Sequence, residues 1–79
     1  MYTLKMYSNK YENLNDKVIG KYKIYSNALN DMLSMAKYIE ERMKKYRVFS
    51  YYWENNFLIR EEYNDGYDFY TKLEIEESK

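Results

Sequence analysis

The fold is decided by residues 47–76, which read RVFSYYWENNFLIREEYNDGYDFYTKLEIE. Apolar and polar side chains alternate along most of this stretch, with the period of two that is typical of a strand buried on one face. Two clusters of turn-forming residues, Glu54–Asn56 and Asn64–Gly66, interrupt the alternation. The stretch therefore predicts an antiparallel meander of three strands, over residues 47–53, 57–63 and 67–76.

A single helix is predicted before the meander, beginning at Ser26 or Asn27, since either residue is a good N-cap. Apolar residues then recur three and four positions apart, as on one buried side of a helix. They are Ala28, Leu29, Met32, Leu33, Ala36, Ile39 and Met43. Residues 2–7 and 18–25 alternate as two further strands. The resulting order, ββαβββ, predicts an α+β class: residues 1–79 form a single small domain whose one helix packs on a mainly antiparallel sheet.

Composition excludes most kinds of catalytic site. The 79 residues include no Cys, no His and no Pro, whereas Tyr occurs twelve times. Without Cys and His there is no thiolate nucleophile, no histidine base and no zinc site of the usual type. The acidic residues around Asn64–Gly66 do not have the spacing of a calcium loop. We therefore expect no enzymatic activity, no cofactor and no metal.

No segment has the apolar length of a signal peptide or of a membrane span. We therefore expect a cytoplasmic protein that does not enter a membrane. The net charge is zero, but it is unevenly distributed. Residues 1–48 contain ten basic and five acidic side chains, and residues 49–79 contain three basic and eight acidic ones. This division predicts a surface with one basic and one acidic region.

Alternation assigns the acidic charges to the outer side of the meander. In the last strand Tyr67, Phe69, Leu73 and Ile75 are expected to face the core, and Trp53 is also expected there. The first candidate site is therefore an acidic face bearing tyrosines, made of Glu62, Asp68, Tyr70, Glu74 and Glu76 with Tyr52 and Arg60 at its margin. Regularly spaced carboxylates beside rings can imitate a nucleic acid and occupy a basic cleft on another protein. A solvated, charged face that protects the sheet from aggregation is the alternative interpretation.

Two other functions remain open. If Val18, Tyr22 and Ile24 face inward, a basic strand with tyrosines is exposed, and a single-stranded nucleic acid could bind there by stacking. Its candidate residues are Lys21, Lys23 and Tyr25, with Tyr38, Arg42 and Lys45 on the helix. Nucleic acid is the less expected partner, because the sequence pI is about 6.3. A homodimer or larger assembly, in which the basic part of one copy meets the acidic part of another, is the third possibility.

Residues 61–77 read EEYNDGYDFYTKLEIEE. With this acidic, Tyr-bearing tail, a single helix, a meander and no Cys, the chain resembles the small phage-encoded anti-defence proteins. These include anti-CRISPR inhibitors that act as acidic mimics of nucleic acid. The resemblance covers size, composition and these seventeen residues, and it implies an inhibitor that blocks a host nucleic-acid-handling or defence protein. It assigns no role to an individual residue.

Overall fold

The fold is of the α+β class: in the part of the chain that the structure describes, one helix lies on a five-stranded antiparallel sheet. The computed structural model describes residues 1–9, 17–42 and 47–78. In chain order the described elements are β1 (Tyr2–Ser8), β2 (Lys17–Tyr22), α1 (Tyr25–Arg42), β3 (Arg47–Trp53), β4 (Asn56–Glu62) and β5 (Asp68–Glu77). The predicted class is thus confirmed. Within the described residues, no helix has the length and apolar content required to cross a bilayer.

The strand order in the sheet is β2-β1-β5-β4-β3, so the first and last strands of the chain are neighbours near its middle. Every neighbouring pair is antiparallel. Strand β5 joins the β1–β2 pair to the β3–β4 hairpin, and the two amino-terminal strands therefore belong to the same sheet as the meander. Helix α1 packs on β1, β2, β4 and β5.

The core lies between the helix and one face of the sheet. Leu4, Ile59 and Leu73 supply the sheet side, and Met32 supplies much of the helix side; all four are fully buried. Burial of an aliphatic side chain of this size contributes roughly 1.5–3 kcal/mol, so these central contacts hold the two layers together. The alternation predicted for β4 and β5 is confirmed at Ile59 and Leu73.

The helix begins one or two residues before the predicted N-cap, since Ser26 already lies within it. The backbone carbonyl of Ile24 accepts hydrogen bonds from the N–H groups of Asn27, at 3.1 Å, and Ala28, at 3.4 Å. Leu33 lies at the exposed edge of the predicted apolar side. Leu29 and Ile39, predicted on this side, are half-buried and pack on the core, and so do Tyr25 and Met35, which were not predicted there. Met43, Lys45 and most of the polar segment over residues 8–16 lie outside the described residues.

Strand β2 differs most from its prediction. It ends at Tyr22 instead of Tyr25, and Ile24, expected inside, is 58% exposed. Val18, also expected inside, is 48% exposed, whereas Ile19 packs against the core. The cause is a β-bulge: Leu4 pairs with Gly20 but Lys5 pairs with Val18, and the side chains on either side of this shift lose strict alternation.

Both predicted turns of the meander are present. Glu54 and Asn55 form the first, and Glu54 has a positive φ of 50°. The second contains Gly66 at a φ of 88°, a conformation that glycine adopts without steric cost. Tyr67 was predicted to lie in the core, but it belongs to this turn and is 65% exposed.

Candidate functional site

The candidate functional surface is the face of the sheet that turns away from α1, which we call the open face. Because Leu4, Ile59 and Leu73 point toward the helix, residues one position along each strand point the other way. The strand registers then assign the following residues to it: Thr3, Lys5 and Tyr7 in β1, Lys21 in β2, Arg47, Phe49, Tyr51 and Trp53 in β3, Asn56, Leu58, Arg60 and Glu62 in β4, and Asp68, Tyr70, Lys72, Glu74 and Glu76 in β5.

Six of the seven residues of the predicted acidic site lie on this face. Each of its four carboxylates forms an ion pair with a basic side chain of the same face. The pairs are Arg60–Glu62 at 2.7 Å, Arg60–Asp68 at 3.0 Å, Lys72–Glu74 at 3.1 Å and Lys5–Glu76 at 2.6 Å. The open face therefore carries charges of both signs at these positions. Lys5–Glu76 joins the basic part of the chain to the acidic part, whereas Arg60 and Lys72 are basic residues of the acidic part itself.

Strand order brings together two of these pairs, Lys5–Glu76 and Arg60–Asp68. The other two, Arg60–Glu62 and Lys72–Glu74, each join residues two positions apart on one strand. The acidic strand β5 lies between β1 and β4, so Lys5 and Arg60 reach it from opposite sides. The hydrogen bond that Arg60 donates to Asp68 raises the pKa of the guanidinium, and the charges of Asp68 and Glu62 act in the same direction. Exposed pairs of this kind contribute about 0–1 kcal/mol each, and their effect here is mainly to fix the charge pattern.

The open face also carries a row of aromatic side chains on β3, which we call the aromatic row: Phe49, Tyr51 and Trp53. They are 40%, 49% and 44% exposed. Trp53 was predicted to be buried, and this prediction is wrong. Strand β3 is an edge strand of the sheet, and six of its seven residues are exposed. Three consecutive aromatic residues at 51–53, which place rings on both faces, were the available sequence signal.

The row is anchored in the hairpin by its neighbours on β4. Phe49 is opposite Arg60, whose guanidinium carbon lies 6.0 Å from the ring centroid in a cation–π arrangement. Tyr51 is opposite Leu58. On its inner side the aromatic row is therefore bordered by the cation of Arg60 and by the apolar side chain of Leu58.

Tyr52, predicted at the margin of the acidic site, lies on the other face of the sheet. Its ring is exposed and lies 6.1 Å from the ring of Phe57. Nearby, Tyr25 donates a hydrogen bond to Asn55 Oδ1 at 2.6 Å. Burial, and after it the neighbouring Tyr52, raises the pKa of the Tyr25 hydroxyl. Tyr52 therefore belongs to the junction between the first turn of α1 and the β3–β4 hairpin.

The residues of the alternative nucleic-acid site are divided between the two layers. Lys21 is on the open face and Lys23 is in the bend before the helix. Tyr25 packs its ring against Tyr2, with centroids 5.4 Å apart. On the helix, Arg42 donates a hydrogen bond to the Tyr38 hydroxyl at 2.9 Å and lies over its ring; Lys45 is outside the described residues. These side chains do not form one stacking groove.

In the parts of the chain that the structure describes, no three acidic side chains are grouped as metal ligands would be. Comparison with protein-family models, with curated proteins and with solved structures found no match to this chain.

Proposed function

We propose that this chain is a non-enzymatic domain that binds another protein through the open face, with the aromatic row as the centre of the contact. The observation that carries the proposal is the exposure of Phe49, Tyr51 and Trp53 side by side on one strand. Other aromatic rings of the chain, among them Tyr2, Tyr25 and Phe57, are partly buried and pack against the core. Leaving the three rings of the aromatic row open reduces the area available for folding, which favours a role in binding.

The chemistry of the row fits a protein partner. Tyr and Trp are enriched at the centres of protein interfaces, because they supply a large contact area with few rotatable bonds. Each ring carries on the order of 150–250 Å² of surface, so three half-exposed rings offer a contiguous apolar patch. The ion pairs of β4 and β5 lie beside this patch and supply the polar border that such interfaces have.

The charge pattern supports a partner that also carries both signs. Paired charges with well-defined geometry give orientation and specificity more than affinity. One form of the proposal is that Glu74 and Glu76 bind a basic cleft of a host protein and block it. The two carboxylates would then have to leave their ion pairs with Lys72 and Lys5 and pair with cations of the target. The aromatic contact requires no such exchange, and we therefore place it at the centre.

Capture of a partner from cells of the native source, with the tagged full chain as bait, tests the proposal. The comparison is between the natural chain, a Tyr51→Ala/Trp53→Ala variant and a Tyr67→Ala variant. Tyr67 is the matched control because it is also an exposed ring, at 65%, and is located in the β4–β5 turn instead of the row. We expect the double variant to lose the partner and the control to retain it.

Titration of the chain with the captured protein then shows whether the aromatic row is part of the contact. Trp53 is the single tryptophan of the chain and lies in the row, so its emission reports occupancy of that surface. We expect a blue shift and protection from iodide when the captured protein is added. Undiminished capture by the Tyr51→Ala/Trp53→Ala variant, with no change in Trp53 emission of the natural chain, would show the proposal to be wrong.

A further inference from the structure

The two edges of the sheet differ in how they are protected. At one edge, β2 carries Lys17 and Lys21 and is interrupted by the β-bulge. Lysines and bulges are devices that prevent one sheet edge from pairing with another. At the other edge, β3 pairs with β4 in an uninterrupted register of seven residues and contains neither device. Among the described residues, no strand pairs with the outer side of β3.

The backbone geometry shows which groups β3 offers. A two-residue turn makes Trp53 and Asn56 the first hydrogen-bonded pair of the hairpin, and hydrogen-bonded and non-hydrogen-bonded pairs alternate from there. The backbone N–H and C=O groups of Val48, Ser50 and Tyr52 therefore face the free edge. Unpaired groups of this kind form a template for another strand.

We propose that the occupant of this edge is a second copy of the chain, whose β3 pairs antiparallel with the first about a two-fold axis at Ser50. This register pairs all seven residues of each strand and keeps like faces together, as a two-fold interface requires. It places Phe49 opposite Tyr51 of the second copy, and Arg47 opposite its Trp53. Cross-strand aromatic pairs and a cation over an indole ring are both favourable contacts.

The ends of the strands are complementary in charge. In this register Glu54 of one copy lies one position beyond the Trp53 that is opposite Arg47 of the other copy, and the two-fold axis repeats this arrangement at the other end. Arg47 and Glu54 are both exposed in the single chain. The same axis also joins the two aromatic rows into one continuous band across a shared open face. Pairing of β3 between two copies therefore covers the unprotected edge and enlarges the proposed binding surface, with no additional strand or helix required.

This inference is independent of the proposed function, because it concerns the backbone edge of β3 and a copy of the same chain. A monomer could still bind a partner through the aromatic row. Conversely, a dimer in pure solution is measured with no partner present. Failure of one proposal is therefore distinguishable from failure of the other.

Measurement of the solution mass of the purified chain over a range of concentrations is the first test. We expect the mass to rise from 9.9 kDa toward twice that value. Interfaces that bury less than about 1,200 Å² are weak and transient, so we expect a micromolar equilibrium. A mass that stays at one chain up to millimolar concentration would refute the proposal, and would leave the edge for an extended segment of another protein.

Substitution at Ser50 tests the register. Ser50→Pro removes the N–H group at the proposed axis, which faces away from β4, and proline is tolerated at such edge positions. Ser50→Ala is the matched control, because it removes the hydrogen bond that Ser50 Oγ donates to Glu40 but keeps the edge N–H. We expect the dimer to be lost only with proline. Loss of the dimer in the alanine control as well would contradict pairing through the edge backbone.

A cysteine at the axis gives a result that does not depend on tolerance of proline. The chain contains no Cys, so Ser50→Cys introduces a single thiol. Hydrogen-bonded antiparallel pairs have Cα atoms about 5.5 Å apart, within the usual range for a disulfide. We expect rapid oxidative crosslinking at this position and slow crosslinking of Ser34→Cys, on an exposed side of α1. Equal rates at the two positions would overturn the proposed register.

Discussion

The ring of Tyr22 lies against Gly20, two residues earlier on the same strand. A Cβ atom at Gly20 would be 2.8 Å from the Tyr22 hydroxyl oxygen and 3.0 Å from the Cζ atom of the ring. The same hydroxyl donates a hydrogen bond of 2.6 Å to Asp31 Oδ2 on the helix. Because Gly20 has no side chain, the Tyr22 ring can lie over it and form the hydrogen bond that links β2 to α1, directly beside the bulge.

A Gly20→Ala substitution tests this relationship. In the natural chain we expect a loss of about 1 kcal/mol of stability, because the ring must move and weaken its hydrogen bond to Asp31. In a Tyr22→Ala background the same change should be neutral or stabilising, by about 0.4–1 kcal/mol, since alanine restricts the unfolded chain more than glycine does. Urea unfolding of the four proteins measures the difference. Equal destabilisation in both backgrounds would mean that the Tyr22 ring does not set the requirement for glycine.

The Tyr22 hydroxyl should also make stability depend on alkaline pH. Its hydrogen bond to Asp31, followed by burial and the charge of Asp31, raises the pKa of Tyr22 above 10.0. The protonated hydroxyl is thus favoured in the folded state. Its contribution is complete below the unfolded pKa of about 10 and is lost as pH rises through the higher folded value. We expect the melting temperature of Tyr22→Phe to fall less steeply above pH 10 than that of the natural chain. Tyr67→Phe, at an exposed turn position, should follow the natural curve.

The ion pairs of the open face should contribute little to folding. Glu76→Gln removes the negative charge from the side chain that lies 2.6 Å from Lys5 Nζ, and we expect a loss of less than about 1 kcal/mol that disappears in high salt. Binding provides the sharper comparison. If the aromatic row is the main contact, Glu74→Lys/Glu76→Lys should weaken capture of the partner less than Tyr51→Ala/Trp53→Ala does. The opposite order would favour the acidic mimic with its basic cleft. Thermal unfolding of Glu76→Gln measures the loss of stability. Titration of the captured partner with the Glu74→Lys/Glu76→Lys and Tyr51→Ala/Trp53→Ala variants measures the loss of binding.

Two leucines on neighbouring strands test the assignment of faces. Leu73 in β5 is fully buried under the helix, whereas Leu58 in β4 lies on the open face and is only half-buried. Leu73→Ala should cost about 2–5 kcal/mol, which in a domain of this size removes most of the stability. We expect Leu58→Ala to cost much less and to retain cooperative unfolding. Chemical denaturation of both variants decides whether the two faces are correctly assigned.

Alternation along β4 and β5 predicted that Ile59, Leu73 and Ile75 turn toward the helix, where all three are buried. It did not predict burial of the charged residue Glu61, which is 1% exposed two positions after Ile59. It could not predict the lateral order of the strands, on which the Lys5–Glu76 ion pair depends. The same limit explains the charge distribution. A basic and an acidic part of the chain predicted two regions, and the position of the acidic strand β5 beside β1 brings Lys5 of the basic part into contact with Glu76 of the acidic part.

Other differences have local causes. The bulge between β1 and β2 shifts the alternation within residues 17–22, which is why Val18 is exposed and Ile19 packs inward. In β3 the consecutive aromatic residues fit either face equally well, so burial of Trp53 could not be decided by pattern. Its exposure follows from the position of β3 at the end of the sheet, which only the tertiary structure specifies.

The pairing of β1 with β5 has a mechanical consequence. Tyr2 is opposite Glu77, and beyond them the Ser78 N–H donates a hydrogen bond of 2.9 Å to the Met1 carbonyl. A force that pulls Met1 and Ser78 apart therefore acts across the ladder at one end and opens its pairs in succession, from Tyr2–Glu77 inward. Each step breaks only the next pair, as in a zipper, so the domain should yield at low force when it is stretched by its two ends.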